Sequence, residues 1–207
     1  MNAATTHSHS RTRLLDAAIH LVRAQGYAAT TVDDVCRATG LTKGAFFHHF
    51  KSKEDLAVAA AAHFSARAEG AFNAAPYREL ADPLDRLLGY VDFRSAILAG
   101  PIPQFTCLLG TMVQEAYDTH PAIRRACETH IGAHAADVAR DIAAAKALYA
   151  PEATWSAESL ALYTQAVLQG AFVLAKAKSG SEVARECLAH LRRYLEHLFP
   201  RPTSTEE

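Results

Sequence analysis

The chain is poor in the residues that interrupt helices. Its 207 residues include only 10 glycines and 8 prolines, and half of the residues are apolar. Alanine is abundant, so helix is favoured over strand. No segment shows the strict two-residue alternation of a half-buried strand, so no sheet is expected. A run of about 18 apolar residues is also missing, and no membrane-spanning helix is expected. The first ten residues are polar, carry His7 and His9, and lack an apolar stretch. They predict a disordered tail over 1–10 rather than a secretory signal.

Cysteine is scarce too. Cys36, Cys107, Cys127 and Cys187 lie far apart and form no Cys-x-x-Cys pair. Free thiols in a reduced, cytoplasmic setting are the expectation, not a disulfide framework. Glycine-rich phosphate loops, nucleophile elbows and standard paired metal motifs are absent. An enzyme is therefore not expected, and no cofactor is implied.

Charge is nearly balanced, at −1 overall. Its distribution is less even. Residues 1–55 hold seven Lys/Arg and five Asp/Glu, a balance of +2 that leaves −3 for the remainder. This mild asymmetry fits a small basic reading head on a larger acidic body.

What the chain does contain is helical punctuation. Leu14, Leu15, Ala18, Ile19, Leu21 and Val22 recur at helical spacing and stop at Gly26, a C′ glycine. Thr31-Val-Asp-Asp34 is a capping box: the Thr hydroxyl accepts from the third amide while Asp34 reaches back. The helix it opens turns Val32, Val35 and Ala38 inward and ends at Gly40. Thr42 caps the next short helix, 43–50. Ser52-Lys-Glu-Asp55 starts another that runs to about Asn73, before Pro76. Asp82-Pro83, an N-cap followed by an N1 proline, opens a helix to about Ala99. Gly100-Pro-Ile-Pro103 is a break. Further helices are predicted over 105–118, 121–148, 156–178 and 181–198, which makes about nine helices and an all-α fold. A second disordered tail is expected over 200–207.

The informative stretch is 31–56. It predicts two short helices joined at a glycine, with Val32, Val35, Leu41, Phe46 and Phe50 buried against the first helix of the chain. The outer side of the second short helix holds Lys43, Gly44, Ala45, Phe47, His48 and His49. A helix-turn-helix lays such a helix in the major groove with its N-terminal residues at base edges. Gly44 and Ala45 are small enough for close approach. Thr31 and Thr42 sit at helix N-termini, where free amides favour a phosphate, and Lys53 can pair with another phosphate.

This segment closely resembles the DNA-binding domain of the TetR family of regulators. The run Gly40-Leu-Thr-Lys-Gly-Ala-Phe-Phe-His-His-Phe-Lys-Ser-Lys-Glu-Asp-Leu56 follows that family's signature almost residue by residue, and Gly26-Tyr27 and Thr30-Thr31-Val32 sit where the family has them. The specific likeness covers about residues 10–56. It implies that Thr31 and Thr42 touch phosphate, that Lys43 and Ala45 face bases, and that Phe47, His49 and Lys53 lie along the backbone. Position 47 departs from the pattern, because the family commonly has a Tyr there whose hydroxyl bonds a phosphate. Phe47 has only a ring to offer.

The same resemblance implies a helix-turn-helix domain over 11–56 and a ligand-binding and dimerisation domain over 57–199. It implies a homodimer through the last two helices, a double-stranded DNA operator and a small-molecule effector, with no membrane partner. Candidate pocket walls are Tyr90, Phe93, Phe105, Cys107, Met112, Tyr117, His130, His134 and Tyr163, each of which could equally be core. Cys107 lies near the start of a predicted helix, where the dipole would stabilise a thiolate. The segment 107–115 resembles a subgroup with a Cys at the start of the sixth helix, some of whose members respond to electrophiles or oxidants. Cys107 is thus a candidate sensor as well as a candidate inert thiol. Cys127, His130 and His134 share a helical face, but no fourth ligand is evident and no metal is expected.

Overall fold

A computed structural model describes residues 3–201, with side chains from residue 9 on. Among the described residues there are ten α-helices and one 3-10 turn, and no strand. In chain order these are α1 (Ala3–Gln25), α2 (Val32–Thr39), α3 (Lys43–His49), α4 (Lys53–Asn73), the 3-10 turn (Pro76–Glu79), α5 (Pro83–Ala96), α6 (Ile102–Phe105), α7 (Leu108–Ala116), α8 (Pro121–Tyr149), α9 (Ala157–Ala177) and α10 (Glu182–Leu198).

Three sequence expectations need correction. α1 begins at Ala3, within the stretch expected to be a disordered tail. Once the packed turns around Leu14 and Leu15 nucleate the helix, each added residue fixes one residue per hydrogen bond, so extension costs little. The break at 100–103 contains a helical turn of its own, α6, which raises the helix count to ten. Pro103 falls in its first turn, where a missing N–H costs nothing, and Thr106 (φ −78, ψ 163) then separates α6 from α7. At the other end, Arg201 is described and donates to Asp85. The remainder of the expected C-terminal tail, 202–207, lies outside the described residues.

The chain divides into two compact units, 1–70 with 101–131, and 71–100 with 132–207. The boundary expected at 56/57 falls inside α4, a continuous helix. In the first unit, α1 packs against α2, α3, α6 and α7. Its core joins Leu14, Leu15, Ala18 and Val22 of α1 to Val35, Phe46, Phe50, Leu56, Leu108, Met112, Ile123 and Cys127. α6 and α7 therefore share a core with the helix-turn-helix.

In the second unit, α10 packs on α9 and on α5. Leu84, Leu87 and Val91 are buried from α5, Leu160, Leu168 and Phe172 from α9, and Leu188, Leu191 and Leu195 from α10. α9 is long and apolar enough, at a mean hydropathy of 1.2, to cross a membrane by composition alone, but 44% of that window is buried inside the fold. It also buries two polar side chains, Thr164 and Gln165. These mark it as a core helix.

Candidate nucleic-acid interface and ligand site

The helix-turn-helix is built from local signals. Thr31 opens α2 as the sequence predicts: its hydroxyl accepts from the Asp34 amide at 3.1 Å and donates to Asp34 Oδ2 at 2.7 Å, while the Thr31 amide donates to the same carboxylate at 3.0 Å. These bonds from Thr31 hold the Asp34 carboxyl below its ordinary range. α2 ends at Gly40 with φ 65, and a Cβ there would touch nothing within 4 Å. Glycine is present for its left-handed backbone, not for room. The Arg13 guanidinium donates to the Thr39 carbonyl and ties α1 to this end of α2.

Thr42 caps α3 by accepting from the Ala45 amide at 3.1 Å. Phe46 is fully buried, with Phe50 tilted against it at 5.8 Å between ring centroids. Thr42, Lys43, Gly44, Phe47 and His48 are exposed, and Ala45 and His49 are half-buried. Phe47 is 56% exposed and meets Phe46 edge-on at 5.1 Å. Lys43 pairs with Asp33 at 2.8 Å, and both side chains are more than half exposed. An ion pair this exposed is weakly held, so the ammonium can exchange Asp33 for a phosphate or a base edge.

Lys53, expected to lie along the DNA backbone, is engaged within the fold. Its ammonium donates to the Tyr27 carbonyl at 3.0 Å and lies 4.2 Å from the Tyr27 ring centroid. Burial moves its pKa down. Lys53 therefore braces the α1–α2 turn. Glu115 of α7 grips the same turn, accepting from the Ala28 amide at 2.8 Å. His120 stands edge-on to the Tyr27 ring at 5.2 Å. Sequence reading missed Glu115 because the partners lie 87 residues apart and no local pattern announces them.

The nine candidate pocket residues are spread over both units. Phe105, Cys107, Met112, Tyr117 and His130 belong to the first unit, and Tyr90, Phe93, His134 and Tyr163 to the second. Phe105 and Met112 are buried, Met112 within the first unit's core. Tyr117 is 62% exposed. His130 is half-buried. Tyr163 is also largely exposed and lies 5.3 Å from the Tyr194 ring.

Tyr90, Phe93 and His134 do meet. Tyr90 OH lies 2.9 Å from His134 Nε2, and Gln165 Nε2 donates to the Tyr90 oxygen at 3.2 Å. The direction of the Tyr90–His134 bond follows from the imidazole tautomer, since the tyrosine oxygen can accept from Gln165 in either case. Burial, with Arg94 nearby adding to it, pulls His134 down to about 4. Phe72 stacks on the His134 ring at 4.8 Å, and Tyr77 and Phe93 close the aromatic group. Phe72, Tyr77, Arg94 and Gln165 were missed. A glutamine within the apolar run of α9 was the one available signal. Tyr77 and Tyr90 also line a shallow depression with Arg78, Leu87, Asp137, Val138 and Asp141.

Cys107 is the N-cap of α7. Its Sγ accepts from the Gly110 amide at 3.5 Å, and the thiol is half-buried. The Arg23 guanidinium lies close enough to feel Cys107, and burial lowers its pKa to about 10. Cys127 is fully buried, and burial pushes its thiol up to about 12. Cys127, His130 and His134 all lie on α8, and His134 Nε2 is bonded to the Tyr90 hydroxyl.

Comparison with known proteins adds to this geometry. Residues 14–67 match the family model for bacterial regulatory proteins of the tetR family. Residues 83–191 match the model described as tetracyclin repressor-like, C-terminal domain. A TetR transcriptional regulator from Chloroflexus aurantiacus superposes with a TM-score of 0.82 at 26% identity, over 94% of this chain and 98% of that one. A TetR-family regulator from Agrobacterium tumefaciens gives 0.80 at 19% identity, over 93% and 99%. Among curated proteins, the HTH-type transcriptional repressor KstR2 of Rhodococcus jostii is 47% identical over 49 residues, 24% of each chain. YerO of Bacillus subtilis, an uncharacterized HTH-type regulator, is 37% identical over 57 residues, 28% of this chain and 20% of its own. The match thus spans about a fifth to a quarter of these curated relatives' length. The relatives are transcriptional regulators, not enzymes.

Proposed function

Because the chain belongs to the tetR family of bacterial regulatory proteins, a family of DNA-binding transcriptional regulators, we propose that it is a cytoplasmic, homodimeric repressor that leaves a pseudo-palindromic operator when a small molecule binds. The observation that carries this reading is the make-up of α3. Its dry side is anchored by Phe46, while Lys43, Gly44, Phe47 and His48 face water beyond a capped N-terminus. Base edges would be read from Lys43 and Ala45, across the gap that Gly44 leaves. Thr31, Thr42 and His49 would lie near phosphates. The Thr31 hydroxyl is already engaged with Asp34, so its help to a phosphate would come through the α2 amides. Phe47 would pack on sugar or a thymine methyl.

Dimerisation is supported by an apolar stripe on α9. Leu162, Tyr163, Val173 and Leu174 are all exposed. They recur eleven residues apart, three helical turns, and so lie on one side. Tyr194 of α10 extends the stripe through its contact with Tyr163. Packing the stripe on its own copy makes a four-helix bundle. Two α3 helices would then stand about one DNA turn apart, ~34–36 Å. Effector binding lowers operator affinity only if the effector prefers the other state of the dimer.

The test is selection from a randomised duplex pool at modest ionic strength, followed by gel shift across a salt series. An inverted-repeat consensus, with affinity falling steeply as salt rises, is expected. A pool that emerges without sequence preference overturns the proposal. Substituting Tyr163 and Leu174 by aspartate should give a monomer by analytical ultracentrifugation.

A second reading concerns the trigger. Cys107, half-buried at the N-cap of α7, is the thiol that an electrophile would modify. N-ethylmaleimide should weaken operator binding by the wild type but not by Cys107→Ser; equal responses would remove the sensor role.

A further inference from the structure

The turn between α1 and α2 delivers the first helix of the reading head. Within it, the Thr30 hydroxyl donates to the Gly26 carbonyl at 2.7 Å and the Thr30 amide to that of Tyr27 at 3.2 Å. Thr31 follows at once as the N-cap of α2, whose first amides are the ones expected to meet a phosphate. α2 is eight residues long, and a helix that short does not persist by itself in water. Its placement is therefore set by what holds its two ends. Arg13 takes the far end through the Thr39 carbonyl. The near end depends on the turn.

Two charged side chains grip that turn from outside it. Lys53 Nζ lies 3.0 Å from the Tyr27 carbonyl oxygen and 3.5 Å from that of Ala28. Glu115 takes the other side of Ala28, accepting from its amide at 2.8 Å. Burial moves the Lys53 pKa down and Glu115 opposes that shift, so carboxylate and ammonium feel each other. Gly26 supplies the room, since a Cβ there would stand 2.5 Å from Glu115 Oε1. Lys53 comes from the stretch that matches the tetR model, 14–67, whereas Glu115 comes from the stretch that matches the C-terminal domain model, 83–191. Both lie in the first compact unit.

We infer that Glu115 is a positioning residue for operator binding, contributed by the C-terminal family domain: it acts through the turn that presents α2 to phosphate, not by contact with DNA. The inference rests on the DNA-binding reading proposed above. Charge alone predicts the opposite sign. A carboxylate repels a polyanion, so its removal would tighten binding to any duplex.

The experiment uses the full-length protein, the duplex selected from the randomised pool and a scrambled duplex of the same composition. Glu115→Ala removes the acceptor. Glu115→Gln keeps the length and a carbonyl that can accept from the Ala28 amide, without the charge. Glu115→Ala should bind the selected duplex about fivefold more weakly, the equivalent of one exposed hydrogen bond, with no weakening on the scrambled duplex. Glu115→Gln should regain most of that loss. Hydrogen exchange at short labelling times, before global unfolding contributes, should run about fivefold faster over 26–35 in Glu115→Ala and be unchanged over 157–177. Tighter binding of both duplexes by both variants would reduce Glu115 to a repelling charge and overturn the inference. Unchanged exchange over 26–35, or exchange that rises equally over 157–177, overturns it too. A selected duplex that wild type and Glu115→Ala bind equally overturns the inference alone. A wild type that selects no duplex overturns the repressor reading, and faster exchange confined to 26–35 then still assigns Glu115 its hold on the turn.

Discussion

Gly26 and Glu115 form a pair whose energetics can be worked out before measurement. Gly26 has φ 93, and a Cβ there would stand 2.5 Å from Glu115 Oε1 and 3.0 Å from Oε2. The same carboxylate accepts from the Ala28 amide. Gly26→Ala thus does two things. It places an L-residue in left-handed backbone, at about 1–2 kcal/mol, and it drives the carboxylate off the Ala28 amide. A hydrogen bond to a charged group contributes about 1.5–3 kcal/mol when sheltered. Glu115 is exposed, so about 1 kcal/mol is the fairer figure. Gly26→Ala should cost about 2–3 kcal/mol in all. Glu115→Ala should cost about 1 kcal/mol, the hydrogen bond alone. The double variant should cost no more than Gly26→Ala, because the bond can be lost only once. A coupling of about 1 kcal/mol is therefore expected in the cycle. Urea unfolding, read as a change in midpoint at constant slope, measures each corner. Additivity within about 0.3–0.5 kcal/mol would refute the reasoning. Lys53 and His120 brace the same turn, which leads directly into α2, so Glu115→Ala should also weaken operator binding while the protein remains folded.

Two further outcomes are expected. Phe46→Ala removes the fully buried ring under α3 and should cost about 3–5 kcal/mol by thermal or urea unfolding; a loss below about 1 kcal/mol would mean that α3 is not held by that ring. His134 is neutral in the fold, with its pKa at about 4, whereas the unfolded imidazole takes up a proton near its ordinary 6.5. The unfolded state therefore binds more protons below that point, and stability is lost as pH falls from about 6.5 towards 4. The loss amounts to about 3 kcal/mol, which His134→Gln should largely remove from the pH profile of the urea midpoint.

How much could be read from the chain alone depends on the range of the physics involved. Thr31 with Asp34, Gly40, Thr42 and Asp82-Pro83 announce helix ends because each acts on amides within about four residues. Their positions in the structure match those expectations. Burial of Phe46 and exposure of Phe47 follow from helical periodicity once α3 is placed. Pro103 misled for a local reason as well: a proline reads as a break, yet it is at home in a first turn.

Local composition determined the elements of this protein, the order in which they occur and the reading head's likeness to its family, because caps, glycines and apolar spacing act over a turn or two. Tertiary structure decided what those elements enclose. It put α6 and α7 into a core with the helix-turn-helix, took Lys53 and Glu115 to the same turn, and gathered Tyr90, His134 and Gln165 from three helices while leaving Tyr117 and Tyr163 wet. Such contacts join residues tens of positions apart. Apolar periodicity can say that a side chain is buried, but not which distant partner completes its hydrogen bonds.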